Sequence, residues 1–481
     1  MDYAQLEPRA VFHWFGELNK IPRGSGNEKA VSDYLVSWAK ERNFEVEQDK
    51  ALNVIIRKPA TAGYENSPGV IIQGHMDMVC EKSADSDHDF LTDPIEMIVE
   101  GDILRANNTT LGGDDGIAVA FGMAILDDAE LAHPALELLV TTEEETGMGG
   151  AMAITEGQLQ GKRLLNIDSE EEGIFLVSCA GGANIQVDFP ALLAESSEPV
   201  PGLQVKIHGL RGGHSGMQIK LGRANALKIM SRLMQSVKNT SPGFRLSNVS
   251  GGSKHNAIPS AAEFSCTAIE LDLARSALVK AAEEITVEFA TVDPELRISI
   301  DQVELKELMS FENSARVADF LFLAPNGVMA MSADIEGLVQ TSLNNAILER
   351  MDDRLRLTTS VRSASMSARK AVLDKLQLLA QVLGAKSQIK SSYPAWEFKQ
   401  DSPLREKALS VYKEISGKDA SYTAIHAGLE CGLLGEVMPG VDMISFGPDI
   451  FDVHTPKEHL SISSVERVYK FTRALVEALK E

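Results

Sequence analysis

Five short stretches of the sequence carry side chains able to bind a cation or move a proton. In VIIQGHMDMV (70–79), His75 and Asp77 stand two positions apart at the end of an apolar run, and strand alternation predicts both on one face. TTLGGDDGIAVAFGMAIL places Asp114 and Asp115 after two glycines and just before a helix. TTEEETGMGG supplies Glu143, Glu144 and Glu145, NIDSEEEG supplies Asp168, and FDVHTPKEHL supplies His454 and His459. Each stretch alone has a plain structural explanation: an aspartate caps a helix, an acid run is a solvated face, a histidine packs or meets solvent. Together they offer two histidines and three carboxylates at strand ends or glycine turns, a nitrogen and oxygen donor set suited to zinc, manganese or cobalt. Hydrolases with paired ions hold them roughly 3.5–4 Å apart, with one bridging carboxylate and one histidine plus one carboxylate on each ion. The set supplies that number.

The elements that must position these residues alternate along the first third. AVFHWFGELNKI and EKAVSDYLVSWAKE have helical spacing, while VIIQGHMDMV, LELLVTT and RLLNIDS are short apolar runs ending in polar residues. That order predicts an α/β sheet with helices on both faces, and sites in such sheets gather beyond the carboxyl ends of the strands. From about residue 185 the texture changes. Strands and helices from LQVKIHGL to LRISI read as β-α-β-β-α-β, and a similar order recurs, opening on a short DQVE (301–304) before the helix near SARVADFLFL. After YPAWEFKQDSPL the helix–strand–helix pattern returns. The expected organisation is a catalytic domain of residues 1–184 and 395–481 interrupted by an inserted α+β lid domain, residues 185–394, built on a duplicated unit.

Composition narrows the function. With 481 residues the chain can bury more than one core. Lys plus Arg number 46 against 69 Asp plus Glu, a net charge of −23 that repels phosphate backbones and anionic lipid and attracts cations. No nucleic-acid or membrane partner is expected. Cys80, Cys179, Cys266 and Cys431 lie far apart without CxxC spacing, and MDYAQLEPRAVFHWFGEL has no basic stretch leading into an apolar one. A reducing cytoplasm is the expected compartment.

In order along the chain, GHMDMV, TTLGGDDG, EEETG, NIDSEEEG, GGHSG, NAIP and HAGLECG resemble the M20 metallopeptidases, most closely the bacterial aminoacyl-histidine dipeptidase branch. The resemblance implies a mixed-sheet, zinc-peptidase-like α/β catalytic domain that hydrolyses unblocked dipeptides, Xaa-His among them, with two divalent metal ions. Zinc leads by affinity, and manganese or cobalt are the alternatives. It implies that Asp114 bridges the ions, that His75 and Asp168 complete one site, and that Glu145 and His454 complete the other. GGDDG departs from the family's Asp-Asn at this point, which leaves Asp115 as a second candidate for the bridge. Asp77 resembles the carboxylate that orients His75, and Glu144 the general base, with a register shifted onto Glu143 and Glu144 as the alternative.

In the middle region, His214 resembles the histidine that stabilises the transition state, and Asn256 and Arg362 resemble the groups that hold the substrate's carboxylate. Shorter relatives complete their site across a dimer. A duplicated lid here would let His214 act within its own chain, with a homodimer still open. His426 and Glu430 in HAGLECG have no assigned role. A tripeptidase or an N-acyl amino-acid deacylase shares the same donor set, and a non-catalytic binding relative is the rival from another class.

Overall fold

The computed structural model describes residues 3–480, the side chain of Ala4 excepted. The chain divides into two compact units, one running to Ser178 with Phe398–Ala424 and the chain from Leu429, the other Cys179–Glu397 with Ile425–Gly428. The crossings at 178/179 and 397/398 lie a few residues from those expected. The return of residues 425–428 to the second unit was not anticipated.

The first unit is built on an eight-stranded mixed sheet. Its centre is four parallel strands, Leu136–Thr141, Val70–His75, Arg163–Asn166 and Asp442–Ser445. All six residues of Val70–His75 and of Leu136–Thr141 are buried, as expected of parallel strands covered on both faces. Fully burying a side chain such as Ile72 or Leu138 stabilises the fold by roughly 1.5–3 kcal/mol. Helix Gly113–Asp127 is apolar all round and buried along most of its length, which makes it a core helix rather than a surface one. Helices Arg9–Leu18 and Ile462–Ala478 present one apolar stripe each to the same core.

A second, four-stranded sheet of this unit carries chemistry. Ile450–Phe451 pairs with His459–Ser461, which pairs with Ile103–Ala106 (Leu460 opposite Leu104). The hairpin brings residues 452–458 beside the loop that follows Ala106. This sheet was not legible in the sequence, because its strands are two to four residues long.

The second unit carries a nine-stranded sheet, eight strands in two halves of four that meet where Gly251 pairs with Leu348, and Gly327–Met331 pairing with Val339–Met351 off that path. The first half holds strands Leu193–His208, Arg245–Gly251, Ala262–Thr267 and Arg297–Met309 with helices Ala226–Thr240 and Leu271–Glu288. The expectation that 301–304 opens the second half is not met, since those residues lie inside Arg297–Met309. The strand in that place is Gly181–Pro190, which pairs with Arg354–Ser363 on one side and Lys386–Tyr393 on the other. Each half therefore orders its strands second, third, first, fourth, and the first half is threaded in after the opening strand of the second. A strand separated from its partners by the whole first half leaves no periodic trace.

Candidate metal centre

Three of the five expected stretches place their groups at the carboxyl ends of the parallel strands. His75 is the last residue of its strand and 1% exposed; Glu143–Glu145 follow Leu136–Thr141, and Asp168 follows Arg163–Asn166. His454 arrives on the hairpin described above, and Asp114 lies in the first turn of helix Gly113–Asp127 with non-helical backbone (φ −80°, ψ 106°). Glu143 (φ 52°) and His454 (φ 60°) occupy the left-handed region, which costs a non-glycine residue roughly 1–2 kcal/mol. Such strain gathers at functional sites.

Two groups of donor atoms form, His75 with Asp114 and Asp168, and Asp114 with Glu145 and His454, the atoms within each group lying within 4.8 Å of one another. Asp114 belongs to both. Its Oδ1 is 3.1 Å from His75 Nε2 and its Oδ2 is 3.2 Å from His454 Nε2. Asp168 Oδ1 lies 3.7 Å from His75 Nε2, and Glu145 Oε2 lies 3.0 Å from His454 Nε2. Asp115, the other candidate in GGDDG, turns away and accepts the backbone N–H of His75 (3.2 Å). His459 joins neither group and stacks on Phe451 across the hairpin.

Asp77 does not reach His75 by strand alternation as expected, because the strand ends at His75. The chain bends at Met76, and His75 Nδ1 faces both the Asp77 carbonyl (3.1 Å) and carboxylate (3.3 Å). That carboxylate also accepts Ser25 Oγ–H (2.7 Å) and the backbone N–H groups of Glu144 (3.1 Å) and Glu145 (3.3 Å). One buried aspartate thus fixes the His75 ring with Nε2 toward the cluster and holds the Glu144–Glu145 turn. Ser25, in a Gly-Ser-Gly turn, gave no sequence signal.

The electrostatics are those of a site that wants positive charge. Burial disfavours a charged His75, yet bonds to Asp114, Asp168 and Asp77 hold its pKa well above the usual value. Bonds to Asp114 and Glu145 raise His454 to about 11. Burial pushes Asp168 up to about 6 and Glu144 well above its usual range, the latter helped by Asp168, Glu430 and Glu145. The raised histidines and the raised carboxyls alike mark an excess of negative charge that favours bound protons. A divalent ion would displace them. The residues fit such an ion: imidazole and carboxylate oxygens are its donors, and Glu145 Oε1 is buried without a partner.

Beneath the cluster, fully buried Glu430 accepts Gln73 Nε2–H (2.6 Å) and Thr141 Oγ–H (2.7 Å), and burial lifts its pKa to about 7. It supports strand ends rather than joining either donor group.

In the second unit, His214 Nδ1 accepts the Met217 N–H (3.1 Å), which leaves the proton of the neutral ring on Nε2. Burial and the Arg362 charge lower its pKa and keep it neutral. The Asn256 carbonyl accepts the Ser215 N–H (2.8 Å), tying NAIP to the His214 turn. Arg362 donates to Tyr393 Oη (3.1 Å) and keeps a buried, unpartnered Nε. His426 is paired with Ser342 Oγ (2.7 Å), and burial drops its pKa to about 4.

A mixed sheet whose parallel strand ends carry two donor groups sharing one carboxylate is an arrangement suited to a metal-dependent hydrolase. The model of Peptidase family M20/M25/M40 matches residues 71–478, and the chain belongs to that family. It is 36% identical over 487 aligned positions to the cytosol non-specific dipeptidase of Escherichia coli (strain K12), covering 100% of this chain and 99% of that protein. The crystal structure of aminoacylhistidine dipeptidase from Vibrio alginolyticus superposes with a TM-score of 0.91 at 36% identity, over 99% of this chain and 98% of that one. An aminopeptidase from Bacillus cereus (13% identity, TM-score 0.58, 99% and 100% covered) shares the fold.

Proposed function

We propose that this protein is a cytoplasmic metallodipeptidase that hydrolyses unblocked dipeptides, Xaa-His among them, at a dinuclear centre of zinc, manganese or cobalt. The observation that carries the reading is Asp114, whose two oxygens face two histidines that each have a further carboxylate partner. The full-length similarity to two dipeptidases supports the substrate class. His75, Asp168 and Asp114 would hold one ion, and Asp114, Glu145 and His454 the other. When bound, the ions would polarise the scissile carbonyl and bring the pKa of water toward ~7.

Glu144 takes the proton from water and returns it to the departing amine. Burial and the neighbouring carboxylates raise its pKa, which makes it a better proton acceptor than an ordinary carboxylate. Asp77 keeps the Nε2 lone pair of His75 directed at the cluster and anchors the Glu144 backbone. His214 donates its Nε2–H to the developing oxyanion, a contribution of about 3–4 kcal/mol where water is excluded. Asn256 and Arg362 hold the substrate's terminal carboxylate, the arginine through its free Nε.

The test is turnover of Ala-His and Gly-Leu against tripeptides and N-acetyl amino acids, with zinc, manganese or cobalt supplied. Preferential hydrolysis of the dipeptides is expected. Preference for tripeptides or blocked amino acids would move the chain to a tripeptidase or deacylase, and no turnover of any would revive a binding role.

A further inference from the structure

Asp114 is the residue on which both donor groups depend, yet its own helix does not fix it. Its backbone is non-helical, and Gly112 at the N-cap offers no side chain to bond the free N–H groups of the first turn. Those groups are taken by a residue far away in sequence. Glu458 is 2% exposed, and its Oε2 accepts the N–H of Leu111 (2.8 Å) and Gly112 (3.1 Å) while its Oε1 accepts those of Gly113 (2.7 Å) and Asp114 (3.3 Å). Four donors converge on one carboxyl group, two on each oxygen.

The opposite side of the turn is held by Arg23, also 2% exposed, which donates to the Gly112 carbonyl (2.7 Å) and to the Met76 carbonyl (3.0 Å) beside His75. Gly112 has φ +66°, and a Cβ there would collide with the Arg23 guanidinium. A Cβ on Gly113 would press Leu460 at 3.1 Å and Glu458 Oε1 at 3.2 Å. The turn is therefore clamped between a buried carboxyl on its N–H side and a buried guanidinium on its carbonyl side.

We propose that Glu458 is a positioning residue of the metal centre, setting where Asp114 stands between the two donor groups. The inference rests on the proposed role of Asp114 as ligand to both ions. An ordinary helix cap would affect stability alone, whereas a positioning carboxylate also affects how the ions are held. In Glu458→Gln one oxygen becomes an amide N–H₂ aimed at two N–H groups, so the turn must shift and carry Asp114 with it.

The experiment compares wild type, E458Q, G113A and E137Q as full-length proteins loaded with cobalt. Glu137 is a control remote from the cluster: a buried carboxylate of the same unit that accepts the N–H groups of Gln160 (2.8 Å) and Gly161 (2.7 Å) and pairs with Arg57 (3.1 Å) at the other end of strand Leu136–Thr141. Cobalt affinity, magnetic coupling between the two ions and melting temperature are measured, with kcat and KM at saturating cobalt. Wild type is expected to hold two coupled ions per chain. E458Q should bind them about 10- to 100-fold more weakly, the scale typical when a group supporting a ligand is lost, with weakened coupling and a fall in kcat at unchanged KM. E137Q should lose melting temperature and keep its ions.

G113A pushes the turn off the carboxylate without removing a polar group, and it decides the matter if E458Q does not fold; its cobalt affinity should fall in the same direction. A folded E458Q or G113A with wild-type affinity and coupling overturns the inference. Wild type that binds fewer than two ions overturns the shared-ligand reading and this inference with it.

Discussion

Replacing Glu144 by glutamine separates proton transfer from metal binding. The turn is held by backbone bonds from residues 144 and 145 to Asp77 (3.1 and 3.3 Å), so the side chain at 144 can change without moving Glu145. Burial, with Asp168, Glu430 and Glu145 beside it, raises the pKa of Glu144, and an uncharged amide in its place avoids the cost of a buried charge among like charges. Metal content should stay at the wild-type level, and the melting temperature should hold or rise. A positioned general base contributes ~10²–10⁴ in rate, about 2.7–5.4 kcal/mol of barrier at ~1.36 kcal/mol per decade, and kcat for Gly-Leu should fall by that factor. The assay is steady-state hydrolysis at saturating metal beside metal analysis and thermal melting of the same preparation. A variant within about threefold of wild-type kcat would refute the assignment, and one that loses metal would mean that Glu144 is a ligand. His454→Ala is the contrasting case, in which metal content and activity fall together.

Asp77→Asn keeps the shape beside His75 but not the charge, and should cost about 10- to 100-fold in metal affinity or kcat by titration and kinetics. Glu172 accepts a forked bond from Arg467 (2.8 and 2.6 Å) that outweighs burial and depresses its pKa below the ordinary 4.5. Its stabilisation is present above pH ~4.5 and lost as pH falls through the depressed value. Glu172→Gln should therefore melt below wild type at pH 7, with the gap closing toward pH 3. Mixing His214→Ala with Glu144→Ala under verified subunit exchange should leave the mixture inactive; recovered activity would show that His214 serves a partner subunit.

The donor types were legible in the sequence as imidazoles and carboxylates in five short motifs, but the choice of Asp114 over Asp115 and of Glu145 within the acid run came from the family resemblance, and the structure groups His75, Asp114, Glu145, Asp168 and His454. Their support was not legible. Arg23 and Glu458 stand in no pattern of their own in PRGSGNE and HTPKEHL, and neither spacing nor composition tells a buried clamp from a solvated charge. The acid run SEEEG shows the same limit: Glu172 pairs with Arg467, while burial near Asp114 and Asp168 pushes Glu170 up to about 7. Asp77 was nominated for the right contact on the wrong ground, because a bend at Met76 rather than a pleat brings it to His75. Helices and most strands of the second unit followed from periodicity, whereas Gly181–Pro190 depends on partners more than 160 residues away.

The most direct test of the central claim is to strip the protein of metal with a chelator and titrate zinc, manganese or cobalt back while following Gly-Leu hydrolysis. A shared Asp114 predicts no turnover by the stripped protein and an activity that rises to a plateau at two equivalents per chain. Turnover by the stripped protein, or a plateau at one equivalent, would contradict a dinuclear centre.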